Sequence, residues 1–209
     1  MTAERLVPKA AGRSDRFGLL VLLLIGSLLL SGVDDSRLIR FLTALVNVLA
    51  LLLAFGARQS RERLLATIGL TMLGAAGGLL VATGRVDGLD GAVGASVQVL
   101  LLTVLTGSVL SRIIRHEEVT NQTLLGAVAA YLLLGQIFAW AYLALPGYLD
   151  EEVITPAAGG EIPIYYSYVV LSTLGFGDIQ PVSALAQRLS ALEALLGQLF
   201  IAILVSRLV

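Results

Sequence analysis

Residues 162–181 read IPIYYSYVVLSTLGFGDIQP, and how this stretch meets a membrane decides the fold. Pro163 suits the first turn of a helix, where its missing N–H costs nothing. Residues 164–173 are apolar and aromatic but too few to cross a bilayer, since a helix of about ten residues rises roughly 15 Å. That is a half-crossing of a hydrocarbon core of about 30 Å. The chain must then return to the side it came from, because Asp178 and the next apolar run restart there. Non-helical backbone at that depth is tolerated only where protein or a water-filled cavity covers it. Gly175 and Gly177 permit backbone angles that other residues resist, so consecutive carbonyls can point the same way, toward an axis. Four such strands would stack rings of oxygens able to replace the hydration shell of a cation.

Working outward, the rest of the 209 residues has the composition such a re-entrant segment requires. Apolar residues make up 57% and charged residues 14%, with 22 glycines, no cysteine and a mean hydropathy of +0.89. A soluble domain is about 45–50% apolar and about 25% charged, so this chain lacks the polar residues to cover a water-facing surface. A typical soluble enzyme and a disordered chain are both excluded. The absence of cysteine removes disulfides, thiolate metal sites and a cysteine nucleophile. A net charge of −1 gives no reason to expect nucleic acid as a partner. Apolar runs at 17–31, 38–57, 64–83, 92–111, 123–145 and 184–209 predict six transmembrane helices, at about 20 residues per span. The first run follows basic residues but no small-residue cleavage site follows it, so it is read as a span and not as a signal peptide. The expected fold is therefore an all-α polytopic membrane protein, with a re-entrant pore helix and filter between helices five and six.

Charge orients the spans. Arg5, Lys9, Arg13, Arg16, Arg58, Arg61, Arg63, Arg112, Arg115 and Arg207 fall on one side of such a topology. The other side holds Arg37, Arg40, Arg85 and Arg188, together with Asp34, Asp35, Asp87, Asp90, Asp150, Glu151, Glu152, Glu161 and Asp178. By the positive-inside rule both termini are cytoplasmic and 146–181 faces outward. Gly74, Gly77, Gly78, Gly91, Gly94 and Ala95 read as close helix packing. The polar stretch RHEEVTNQ at 115–122 divides the chain. The expected parts are a cytoplasmic N-terminus at 1–16, a four-helix front part at 17–115 and a pore part at 116–209.

On these residues the chain resembles the pore of tetrameric potassium channels. Their signature Thr-Val-Gly-Tyr-Gly-Asp reads here Thr173-Leu174-Gly175-Phe176-Gly177-Asp178. The resemblance runs from about 123 to 209, through outer helix, pore helix, filter and inner helix. It includes Gly197, where the inner helix of many such channels has its hinge glycine, and Gln198 just after it. The resemblance implies a homotetramer that conducts K+ passively in a cell membrane, without cofactor or catalysis. It implies ion binding by the carbonyls of Thr173, Leu174, Gly175 and Phe176 and by the Thr173 hydroxyl, with Gly177 completing the filter. It also implies that Asp178 sits behind the outer filter, partnered by the pore-helix aromatic Tyr165. Leu174 replaces the usual valine, and Phe176 replaces a tyrosine whose hydroxyl tethers the filter, so a non-selective cation channel is the alternative within the class. The acidic residues 150–152 and Glu161, repeated four times, would attract cations by a surface potential that salt weakens.

The front part does not read as a voltage sensor. Residues 92–111 contain no arginine, and Arg112 and Arg115 lie at the cytoplasmic end. A sensor moves several charges across the field, at about 2.3 kcal/mol per charge per 100 mV. Glu193 is the one acid well inside a span and has two readings. It is either a gate or proton-sensitive element near the base of the filter, or a structural partner of the pore helix through Ser172 or Tyr166. Gln198 either lines the cavity or bonds between helices. His116, with Glu117 and Glu118, is read as a solvated loop group, the rival reading being a cytoplasmic pH sensor. Trp140, Tyr142 and Tyr148 are read as interface anchors. Thirteen arginines against one lysine suggest a GC-rich bacterial source. A small secondary transporter is the alternative from another class, but it should show paired interrupted helices in two related halves. An intramembrane serine protease would need a histidine on a span. The chain ends soon after the sixth run, so any cytoplasmic ligand-binding domain is expected to come from an unidentified regulatory partner.

Overall fold

The computed structural model describes residues 17–31, 37–55, 61–83, 88–115, 120–155 and 163–208. The described residues fold into seven helices: α1 (Phe17–Ser31), α2 (Arg37–Phe55), α3 (Arg61–Thr83), α4 (Leu89–Arg115), α5 (Asn121–Leu149), α6 (Pro163–Leu171) and α7 (Ala184–Leu208). Three stretches, Leu89–Ile114, Asn121–Leu149 and Ala184–Ser206, are long and apolar enough to cross a membrane. Phe17–Leu29 and Thr71–Leu80 are shorter apolar helical stretches. Arg5, Lys9, Arg13, Arg16, Asp34, Asp35, Arg58, Arg85, Asp87, His116, Glu117, Glu118 and Glu161 lie outside the described residues.

Helices α1 to α4 pack each against the next, and both α1 and α4 also lie along α5. Phe17, Leu20, Leu24, Leu102, Leu105, Leu133 and Trp140 form the core between them. The glycines singled out in α3 and α4 are buried where these helices meet. A Cβ on Gly77 would lie 2.8 Å from Val97 Cβ and 3.1 Å from the Gly94 carbonyl, closer than atoms pack. A second core, of Phe138, Tyr142, Val153, Ile154, Tyr166, Ile179 and Ala186, lies on the side of α5 that faces α6 and α7.

Two helix ends differ from the sequence expectation. Thr120 caps α5 reciprocally with Thr123 at 3.3 Å in each direction. At its far end α5 does not stop at 145 but continues through Pro146 to Leu149. Proline gives up only its own N–H bond, and the turn closes when the left-handed Asp150 (φ 53°) donates its N–H to the Pro146 carbonyl at 2.9 Å. Helix α6 ends at Leu171, short of the expected 173, because Thr173 takes a left-handed backbone.

Trp140 and Tyr142 correct the interface-anchor reading: both are buried in the two cores. Aromatic anchors and core aromatics share a position along a span and differ only in the helix face they occupy. Tyr148 is exposed, and its hydroxyl lies 3.0 Å from Ser96 Oγ on α4.

Candidate functional site

Helix α6 is anchored to α5 by hydroxyls. Ser167 Oγ donates to the Gly135 carbonyl at 2.7 Å, and Tyr168 Oη donates to the Leu132 carbonyl at 2.6 Å. Tyr131 Oη reaches the carbonyl of Leu171, the last residue of α6, at 3.3 Å. Gly135 makes this approach possible, because a Cβ there would lie 2.5 Å from Tyr168 Cε1.

On its other side α6 meets α7 through a buried polar network centred on Glu193, which has no exposed surface. One carboxylate oxygen accepts from Tyr142 Oη at 2.8 Å, and the other meets Ser167 Oγ, whose single proton it shares with the Gly135 carbonyl. Ser190 Oγ joins Tyr142 Oη at 3.1 Å to Tyr166 Oη at 2.6 Å. The Tyr142 and Tyr166 rings meet edge to face, with centroids 5.0 Å apart. A buried carboxylate is costly unless hydrogen-bonded, and the Tyr142 hydroxyl, with the shared proton of Ser167, meets that need here. Ser172, expected as a partner of Glu193, is not one: its hydroxyl bonds back to the Tyr168 carbonyl at 2.7 Å. Five residues separate it from Ser167, which at about 100° per residue turns it to another face. Tyr166 reaches Ser190 and not the carboxylate. Ser167, Tyr142, Ser190, Tyr131 and Tyr168 were missed by sequence reading. The one signal in the sequence is Ser167, a hydroxyl in the middle of an otherwise apolar or aromatic run.

Gly197 lies on α7, which is continuous there. It is buried against the end of α6, where an added Cβ would collide with the Leu171 carbonyl oxygen and lie 3.0 Å from its carbon. It serves a close approach of two backbones. At the next residue of α7, Gln198 Nε2 donates to Thr173 Oγ1 at 2.9 Å.

Between α6 and α7 the chain runs exposed through 172–178. Thr173, Gly175 and Gly177 have φ of 57°, 57° and 79°, while Leu174 and Phe176 keep negative φ. A β-branched residue at positive φ is uncommon and costs energy. It is held here by Thr173 N–H to the Val170 carbonyl and Leu174 N–H to the Val169 carbonyl, both at 2.9 Å. At the far end Tyr165 Oη donates to Asp178 Oδ2 at 2.7 Å. That bond holds the Tyr165 phenol above its ordinary range. The exit is pinned to the segment after α5: Thr155 N–H to the Gln180 carbonyl at 2.8 Å, and Val182 N–H to the Val153 carbonyl at 2.9 Å. Among the described residues no group of three or more His, Asp or Glu is placed to hold a metal ion.

Residues 130–209, from within α5 through α6 and the turn to the end of α7, match a family described as "Ion channel". Over that stretch the chain is similar to an ion-channel pore, which points to a channel and not an enzyme. With its long apolar helices, the match makes this a membrane protein. No curated protein matches the chain, and no solved structure matches it.

Proposed function

We propose that four copies of this chain surround a potassium-selective pore. The observation that carries the reading is the alternation of backbone hand at Thr173, Gly175 and Gly177. Residues of alternating hand turn successive peptide planes the same way, so the carbonyls of Thr173, Leu174, Gly175 and Phe176 align. With the Thr173 hydroxyl at the inner end, four such rows offer stacked rings of oxygen to a dehydrated K+. The carboxyl end of α6, with its partial negative charge, supports a cation below the rings. Gln198 would fix the Thr173 hydroxyl, and Tyr165 with Asp178 would brace the outer end.

The faces left open on one chain support assembly. Leu174 and Phe176 are 58% and 64% exposed, and α7 exposes Leu192, Leu195, Leu199 and Ile203. Lipid can cover the apolar face of α7, but non-helical backbone at membrane depth must be covered by protein or a water-filled cavity, and neighbouring copies would cover 172–178. The reading includes six spans and a re-entrant α6, with both termini cytoplasmic as the arginine bias requires. The front helices brace the pore through α4 and α1 on α5 and carry no voltage sensor. The mass of the purified protein in detergent tests the assembly. Four times the 22.0 kDa of one chain is expected, and a stable monomer would remove the pore.

A further inference from the structure

A belt of orphaned polar side chains crosses α1, α2, α4 and α5. Ser27 on α1, Thr43 and Asn47 on α2, Gln98 on α4 and Gln136 on α5 are all more than nine-tenths buried. Among the described residues, Ser27 Oγ, Thr43 Oγ1, both amide atoms of Asn47, Gln98 Oε1 and both amide atoms of Gln136 have no hydrogen-bond partner. Buried polar groups in folded proteins are paired, with protein or with ordered water, so this concentration demands an occupant.

Contacts between the helices place the five residues in one band of the bundle. Gly126 of α5 lies against Ile113 of α4, and Gly147 lies against Ala92. The two helices are therefore antiparallel, and Gln136 falls opposite Thr103, five residues from Gln98. Helix α1 starts beside the start of α5, where Phe17 meets Gly126, and Ser27 and Gln136 each lie ten residues further on. On the other side Gln98 Nε2 donates to the Gly74 carbonyl at 3.0 Å, and Gly74 meets Val48, the neighbour of Asn47. Thr43 precedes Asn47 by one turn on the same face of α2. The belt thus spans about nine residues along the bundle, roughly 14 Å at 1.5 Å per residue.

The donor and acceptor inventory selects the occupant. Two carboxamides present N–H groups as well as oxygens, Gln98 presents an oxygen, and two hydroxyls can do either. A bare cation would face the amide N–H groups, and an anion would face the carbonyl oxygens. No acid or base stands among the five to offset either charge. A small neutral molecule that both donates and accepts satisfies the set, and water does so with two to four bonds each. We propose that the front bundle binds a cluster of ordered water at this belt, held by Ser27, Thr43, Asn47, Gln98 and Gln136.

The chain contains two asparagines, Asn47 and the exposed Asn121, which makes the test direct. The full chain, labelled with 15N at asparagine and reconstituted in bilayers, is examined by solid-state NMR with magnetisation transferred from water protons. Asn121→Ser, an exposed change that leaves the interior intact, assigns the remaining side-chain amide signal to Asn47. The expected result is a strong water-to-amide cross peak at Asn47 that is lost when the water is replaced by D2O. An Asn47 amide that receives magnetisation from acyl chains or protein but none from water overturns the proposal. So does an amide signal that shifts when K+ and Na+ are replaced by N-methylglucamine, because the occupant is then a cation.

Discussion

Replacing Gly197 with alanine adds a single methyl group at the tightest contact between α6 and α7. That methyl would collide with the Leu171 carbonyl oxygen, with Leu171 C at 3.0 Å and Leu171 Cδ1 at 3.1 Å, where ordinary contact begins at 3.4 Å. A side chain in the way can rotate, but a carbonyl at the end of a helix cannot. The end of α6 must retreat, and Thr173 follows two residues later. Overpacking of this kind costs about 1–3 kcal/mol, which is roughly 5- to 150-fold in the balance between the intact and displaced arrangements. The expected result for Gly197→Ala is a lower melting temperature in detergent together with a rubidium efflux from proteoliposomes reduced by about tenfold. Gly26→Ala on α1 is the matched control, since nothing lies within 4 Å of its added Cβ. A Gly197→Ala protein that melts and conducts like the wild type, with Gly26→Ala also silent, would refute the close-contact account. Loss of flux with an unchanged melting temperature would favour a bending role for Gly197 instead.

Glu193→Leu removes the acceptor of the buried Tyr142 hydroxyl, at about 1–3 kcal/mol for a buried donor stranded, while Ser167 keeps the Gly135 carbonyl. Thermal melting should therefore fall well below the wild type, and Glu193→Gln, which keeps an acceptor oxygen, should fall much less. Tyr165→Phe and Asp178→Ala, which remove opposite ends of one bond, should be non-additive by about 0.5–3 kcal/mol in a double-mutant cycle read by melting. The same bond has a definite pH sign. A phenol raised by its acceptor contributes fully below the ordinary tyrosine value of about 10 and loses its contribution as pH rises through the folded value. The Tyr165→Phe difference should accordingly be flat through neutral pH and shrink only in strong alkali. Arg112→Gln combined with Arg115→Gln should leave the dependence of conductance on voltage shallow and unchanged; a steep dependence that these changes abolish would make α4 a sensor.

What was legible in the sequence is what adds along the chain. The apolar length of α4, α5 and α7 needs no knowledge of neighbours, and Pro163 marks the start of α6 through its own chemistry. What was hidden depends on which way a side chain turns. Tyr142 sits where an interface aromatic would sit, yet its face of α5 points at Glu193. Ser172 and Ser167 differ by five positions and so by helix face, and only the packed structure shows that Ser167 meets the carboxylate. The left-handed backbone at Thr173 runs against the preference of a β-branched residue, so local propensity hides it. Pro146 reads as a helix end but loses one bond that the helix does without. Thr43, Asn47, Gln98 and Gln136 are single polar letters in apolar runs, and their place in one band emerges only when α2, α4 and α5 are set side by side.

The central claim is that residues 173–177 of four chains select potassium, and the reversal potential tests it most directly. The purified protein is placed in a planar bilayer with potassium chloride on one side and sodium chloride on the other. The account predicts a reversal displaced strongly toward the potassium equilibrium value. A reversal near zero, with current flowing, would mean that Leu174 and Phe176 leave the pore unable to tell the two ions apart.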